Sequence, residues 1–122
     1  MTRSEFYAAW LRHFACDISK ADIDKYVVST GNYLWHIFSW ELIDQACYLS
    51  GDAAREAYDC MDKHDVWILN WFDGSDPCNL LGGAPASEQL DEMNEVYVTA
   101  SDFSWVYMKT HEAACGPYFM KL

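Results

Sequence analysis

Positive charge is what this chain has least of: eight Lys and Arg stand against 19 Asp and Glu, a formal charge of −11. A field of that sign repels nucleic acid and anionic membrane surfaces, so neither is an expected partner. It favours a basic partner, or it simply keeps the protein in solution. The five cysteines (Cys16, Cys47, Cys60, Cys78 and Cys115) are odd in number and contain no C-x-x-C pair. That spacing excludes a paired disulfide framework and a zinc knuckle. Reduced thiols are the expectation, with Cys47 and Cys60 packed as small hydrophobes on helices. No apolar run approaches the roughly 18 residues needed to span a bilayer. Glu5, Arg12 and His13 interrupt the stretch where a signal peptide would have to be unbroken, so a cytoplasmic protein is expected. Internal repeats, low-complexity tracts and linkers are absent as well.

What is present bounds the fold. A chain of 122 residues is one domain, 1–122, with room for a single real core. Apolar residues make up 52% of it, which excludes intrinsic disorder. Six Trp and eight Tyr fill that core or form exposed anchors for binding, and burial is the commoner fate of both types.

Thr2-Arg3-Ser4-Glu5 has the form of a capping box, and Phe6, Ala9, Trp10, His13 and Phe14 follow at helical spacing. A first helix therefore runs to about Cys16, and a weaker one lies between Asp17 and Ser29 before the break at Thr30-Gly31-Asn32. Tyr33 to Ser39 is apolar on both faces of a pleat and predicts an interior strand. Ser39 would then cap a helix carrying Leu42, Ile43, Ala46 and Leu49. Asp52 opens another, with Ala54, Ala57, Tyr58 and Met61 along its apolar line. Val66 to Phe72 predicts a second two-faced strand, Ser87 caps a short helix with Leu90 and Met93, and Val96 to Thr99 is a third strand. The C-terminal stretch predicts a hairpin. Phe103, Trp105 and Tyr107 alternate along one arm, His111 to Gly116 forms the tip, and Pro117 leads into Tyr118-Phe119-Met120. The expected class is α+β, a mixed or antiparallel sheet of four to five strands with helices packed on one side.

Two candidate sites emerge. The hairpin tip gathers His111, Glu112 and Cys115, and His36 lies on the apolar segment before it. As chemistry, His111 would be a base or ligand oriented by Glu112 or activating Cys115. Thr-His-Glu is no known nucleophile elbow, and a zinc protease motif would need a second His. A buried histidine satisfied by hydrogen bonds is the commoner finding, so no catalytic residue, metal or cofactor is assigned. The second candidate is acidic. Asp52, Glu56 and Asp59 recur on one helix, and Glu88, Asp91, Glu92 and Glu95 on the next. Like charges at that spacing cost a few tenths of a kcal/mol per pair, so folding alone does not ask for them. They either solvate the chain or face a basic protein.

The segments Leu34-Trp35-His36-Ile37-Phe38-Ser39 and Trp105 to Glu112 with Cys115-Gly116-Pro117-Tyr118-Phe119, joined by the Gly51 to Ala57 helix, carry a likeness. The chain resembles a family of small bacterial proteins that bear only a domain-of-unknown-function label. The resemblance implies a single cytosolic domain of bacterial origin and attaches no activity.

The expected function is binding: an acidic protein that covers a basic partner, in the way bacterial immunity or antitoxin proteins neutralise nuclease toxins. The alternative is a small enzyme or metal-binding protein built on His36, His111, Glu112 and Cys115.

Overall fold

The N-terminal capping box forms as the sequence dictates. In the computed structural model, which describes residues 1–122, Thr2 Oγ1 accepts from the Glu5 N–H at 3.2 Å. Glu5 Oε1 accepts in return from the Thr2 N–H at 2.9 Å. This starts α1 (Arg3–Phe14), which buries Phe6, Ala9, Trp10 and Phe14. Ser19 caps α2 (Lys20–Tyr26), and Gly31 at φ 109° ends the segment. A Cβ on Gly31 would stand 2.8 Å from the Tyr33 ring, so its absence lets that ring fold back over the turn.

Tyr33 to Ser39 is not a strand. His36–Ser39 is a helical turn, α3, with Leu34, Ile37 and Phe38 buried against the first helix. A short run that is apolar throughout satisfies both periods, and here the i, i+3, i+4 set found the larger apolar partner. The turn ends at once. The Glu41 N–H donates to Phe38 O and the Leu42 N–H to Ile37 O, both at 3.0 Å, with Glu41 at φ 56°. This is a Schellman stop with glutamate where glycine is usual, which hides it from sequence. The expected helix over Leu42 to Leu49 is therefore absent; a 3-10 turn at Gln45–Cys47 stands in its place.

The sheet has six strands: β1 (Leu49–Ser50), β2 (Val66–Asn70), β3 (Cys78–Leu80), β4 (Val96–Ala100), β5 (Trp105–Lys109) and β6 (Tyr118–Lys121). Their order is β1-β6-β5-β4-β2-β3, and every pairing is antiparallel. Tyr33 to Ser39 drops out of the expected strands, and two short edge strands, β1 and β3, too brief to alternate in sequence, bring the remaining four to six. The class is α+β.

Both faces are covered, rather than one. Leu69, Tyr97, Val106, Met108 and Tyr118 point into a core with the α1–α3 layer. Their strand neighbours Val96, Val98, Trp105, Tyr107 and Phe119 pack under α4 (Asp52–Asp59) and α5 (Ser87–Leu90). Each central strand is apolar on both sides for that reason. Phe103 departs from its expected place beside Trp105: it sits in the β4–β5 turn at φ 59° and packs on the α1 side. No helix is long and apolar enough to cross a membrane.

Candidate functional site

The acidic helices come together on one surface. Asp59 at the end of α4 accepts from Ser87 twice, from its N–H at 2.9 Å and its hydroxyl at 2.6 Å. Ser87 is thus spent as a tie between helices, and it is the first residue of α5 rather than its cap. Burial pushes the Asp59 carboxyl up, but the two Ser87 bonds and the Lys63 and Arg55 charges outweigh it and leave it below the usual range. Arg55 closes the pair of helices through Asp91, and its Nε lies 4.0 Å from Asp52. Asp52, Glu56, Glu88 and Glu92 remain exposed around this clamp.

Glu95 is the exception. It was expected on the exposed acidic line, and it is fully buried. Helix α5 ends at Leu90, so the i, i+4 projection from Asp91 has no helix to run along. Glu95 instead turns inward just before the wholly buried β4. Its carboxylate collects four donors: Trp35 Nε1–H at 2.8 Å, the Tyr97 hydroxyl at 2.6 Å, His111 Nδ1–H at 2.7 Å and the His111 backbone N–H at 3.4 Å. A buried carboxylate persists only with this kind of saturation. Burial first, then the Glu95 charge, holds the Tyr97 hydroxyl well above the ordinary phenol range, so it stays a donor. Lys109 fixes the approach from behind, donating to the carbonyls of Met93 and Asn94 at 2.6 and 3.1 Å.

His111 therefore has a built environment, though not the one its sequence neighbours imply. Its side chain is 27% exposed, with Nε2 3.7 Å from the Glu112 carboxylate. Tyr33 lies 4.7 Å from its ring and Phe72 meets it edge-on at 5.4 Å. His36 stands on the other side of Trp35 and Tyr33, its ring 4.4 and 5.6 Å from theirs. Its Nδ1 is held by the Tyr26 carbonyl at 3.1 Å and Thr30 Oγ1 at 2.7 Å. Cys115 stays beside Glu112, its N–H donating to the Glu112 carbonyl at 3.0 Å and both lining one small cleft. It also lies against the Tyr118 hydroxyl, which burial first and then Cys115 push up to about 12. His36, His111, Glu112 and Cys115 do not converge as one centre. The members that matter to His111 are Glu95, Trp35 and Tyr97, which the sequence reading did not connect to it. No local signal marked Glu95: Asp65 stands just as directly before the apolar strand β2 and is exposed.

Burial lowers the pKa of His36 below its ordinary 6.5, against the opposing Tyr26 hydrogen bond. A depressed histidine leaves the unfolded chain binding more protons, so stability falls as pH drops through 6.5 towards the folded value. His36→Asn is expected to flatten this part of the profile, read by urea unfolding at stepped pH. An unchanged slope would place the acid sensitivity elsewhere.

Three or more His, Cys, Asp or Glu side chains nowhere converge to hold a metal ion. Cys16, Cys47, Cys60 and Cys78 are all exposed. The helix packing expected for Cys47 and Cys60 is absent, because Cys47 lies on the 3-10 turn and Cys60 just beyond α4. Cys16 and Cys47 share the wall of an apolar cleft of about 310 Å³ with Phe14, Ile43 and Met120.

Residues 3–119 match the family model described as a domain of unknown function, DUF4275. No curated protein and no solved structure matches the chain.

Proposed function

The chain belongs to this family of domains of unknown function, and from that premise we propose that it is an acidic cytoplasmic binding protein. It neutralises a basic, nuclease-type toxin by surface complementarity, as bacterial immunity and antitoxin proteins do. The observation that carries the reading is the joining of α4 and α5. Two acidic segments far apart in sequence are tied by the Asp59–Ser87 and Arg55–Asp91 contacts into one surface. Its Glu56, Glu88 and Glu92 have no cationic partner in the molecule. Unpaired like charges held side by side oppose folding slightly, and they are useful where a positive surface arrives.

The test is charge reversal. Glu56→Lys, Glu88→Lys and Glu92→Lys together move the net charge by +6, from −11 to −5. Association with a basic nuclease that the protein binds is expected to slow about tenfold or more at low salt, and little at high salt. Asp17→Lys, Asp22→Lys and Asp24→Lys make the same change on the α1–α3 layer and are expected to leave the rate nearly unaltered. Equal slowing by both sets would mean that net charge alone acts. No slowing by either would leave the acids to solubility.

The enzyme alternative draws on one observation, the buried Glu95 carboxylate that orients His111 with Nε2 outward. Its metal-binding form has no three-ligand cluster to use.

A further inference from the structure

The surface next to His111 holds more negative charge than the protein itself neutralises. Glu95 and Glu112 share one imidazole, at 2.7 Å through Nδ1 and 3.7 Å through Nε2. No other basic group lies within ion-pair distance of either carboxylate. Lys109, close in sequence, spends its ammonium on two backbone carbonyls. Neutral carbonyls leave the Lys109 charge in place, so Glu95, Glu112 and Lys109 together carry one net negative charge with His111 neutral. Glu112 is the accessible carboxylate, its side chain 57% exposed.

Beside these charges stand aromatic faces. Tyr33 and Phe72 are 6.2 Å apart and both touch His111. Phe72 is 50% exposed, unusual for a large apolar ring in a chain that buries most of its aromatics. The patch is also continuous with the acidic helices, because Glu112 and Arg55 of α4 line the same small cleft of about 60 Å³. A partner steered by Glu56, Glu88 and Glu92 therefore arrives next to it.

We infer that this patch is the anchor of the proposed interface, and that it takes an arginine side chain of the basic partner. The inference rests on the binding-protein reading above. A guanidinium is planar and weakly hydrated; it stacks on an aromatic face while its N–H fork reaches a carboxylate. An ammonium also sits over aromatic faces, as Lys25 does on Tyr26 and Lys63 on Tyr58, but it lacks the planar fork that lets one group stack flat and reach a carboxylate together. The molecule uses the same chemistry internally: Arg3 lies over the Trp71 ring at 4.7 Å and donates to the carbonyls of Asn70, Trp71 and Ser75. At the patch, Phe72 and Tyr33 supply the faces and Glu112 the acceptor. Glu95, held by Trp35 and Tyr97, fixes the His111 ring between them.

The Trp35 indole N–H bonds directly to Glu95 and so reports on the centre by NMR. Isotope-labelled full-length protein is titrated at low salt with N-acetyl-arginine amide, N-acetyl-lysine amide and N-acetyl-citrulline amide, the last a neutral isostere of the first. Arginine amide is expected to shift the Trp35 indole and His111 signals saturably, lysine amide at least about threefold more weakly, and citrulline amide not at all. Phe72→Ala and Glu112→Gln are each expected to weaken arginine amide by about threefold or more, with the Trp35 indole in its original position before titration. Equal binding of citrulline amide, equal binding of lysine amide, no saturation, or wild-type affinity in both variants would each overturn the assignment. Phe72 is untouched by the charge-reversal set. A failed titration with a salt-sensitive, α4/α5-dependent nuclease association removes the anchor alone; loss of that association as well removes the binding reading.

Discussion

Glu95→Ala is expected to lower the unfolding free energy by about 3–5 kcal/mol, the range for breaking a buried charged network from one side. The substitution removes the one acceptor that satisfies Trp35 Nε1–H, the Tyr97 hydroxyl and His111 Nδ1–H together. Trp35 is 3% exposed and Tyr97 is wholly buried, so water cannot readily replace it. Each orphaned donor then costs about 1–3 kcal/mol. Glu95→Gln keeps the shape and one carbonyl oxygen, and is expected to cost about 1–2 kcal/mol, a difference set by the lost charge on the hydrogen bonds. Urea unfolding with an unchanged slope reads both values. A domain of this size has about 5–15 kcal/mol in hand, so the alanine variant should also lose its midpoint visibly. An alanine variant within about 1 kcal/mol of the parent would mean that the carboxylate is not the hub described.

Phe103 gives the second large effect and an inversion of the usual order. Its ring is 4% exposed, 5.6 Å from Phe6 and stacked on His13 at 5.3 Å, so truncation to alanine is expected to cost about 3–5 kcal/mol. The backbone at φ 59° adds a further distinction. In an ordinary strand glycine is worse than alanine by about 0.5–1 kcal/mol. In the left-handed region alanine retains a strain of about 1–2 kcal/mol that glycine escapes. Phe103→Gly should therefore be the more stable of the two variants, although both fall well below the parent. Comparing their denaturation midpoints checks this, and an alanine variant more stable than the glycine one would contradict the left-handed turn.

Both predictions fall on residues whose roles the sequence read differently, and the reasons are physical. Phe103 alternates with Trp105 and Tyr107 in sequence, yet the Phe103 N–H closes a turn onto Ala100 O at 2.9 Å. The four residues Ser101 to Ser104 join β4 to β5 with a left-handed position at Phe103, one that Gly or Asn normally announces; a phenylalanine there is invisible to pattern. Glu95 sits in a row of acids, and only the end of α5 at Leu90 frees it to turn inward.

Local signals that contain their own partners were legible. The Thr2–Glu5 capping box, α4 from Asp52, the break at Gly31 and the β5–β6 hairpin each close within a few residues, so composition and spacing determine them. The charge excess, the odd cysteine count and the unbroken apolar character of the central strands were equally in the sequence. Only the tertiary structure decided what depends on distant partners. Leu34, Ile37 and Phe38 became a helical turn because Trp10 and Phe14 offered them one face to bury. The two acidic helices became one surface because Ser87 reaches Asp59 across 28 residues. His111 acquired a second carboxylate, Glu95 at 2.7 Å besides adjacent Glu112 at 3.7 Å, because β4 and β5 pair in the register that sets Val96 opposite Lys109. A buried charge has to find its donors wherever packing delivers them, and the spacing of residues along the chain does not record that distance.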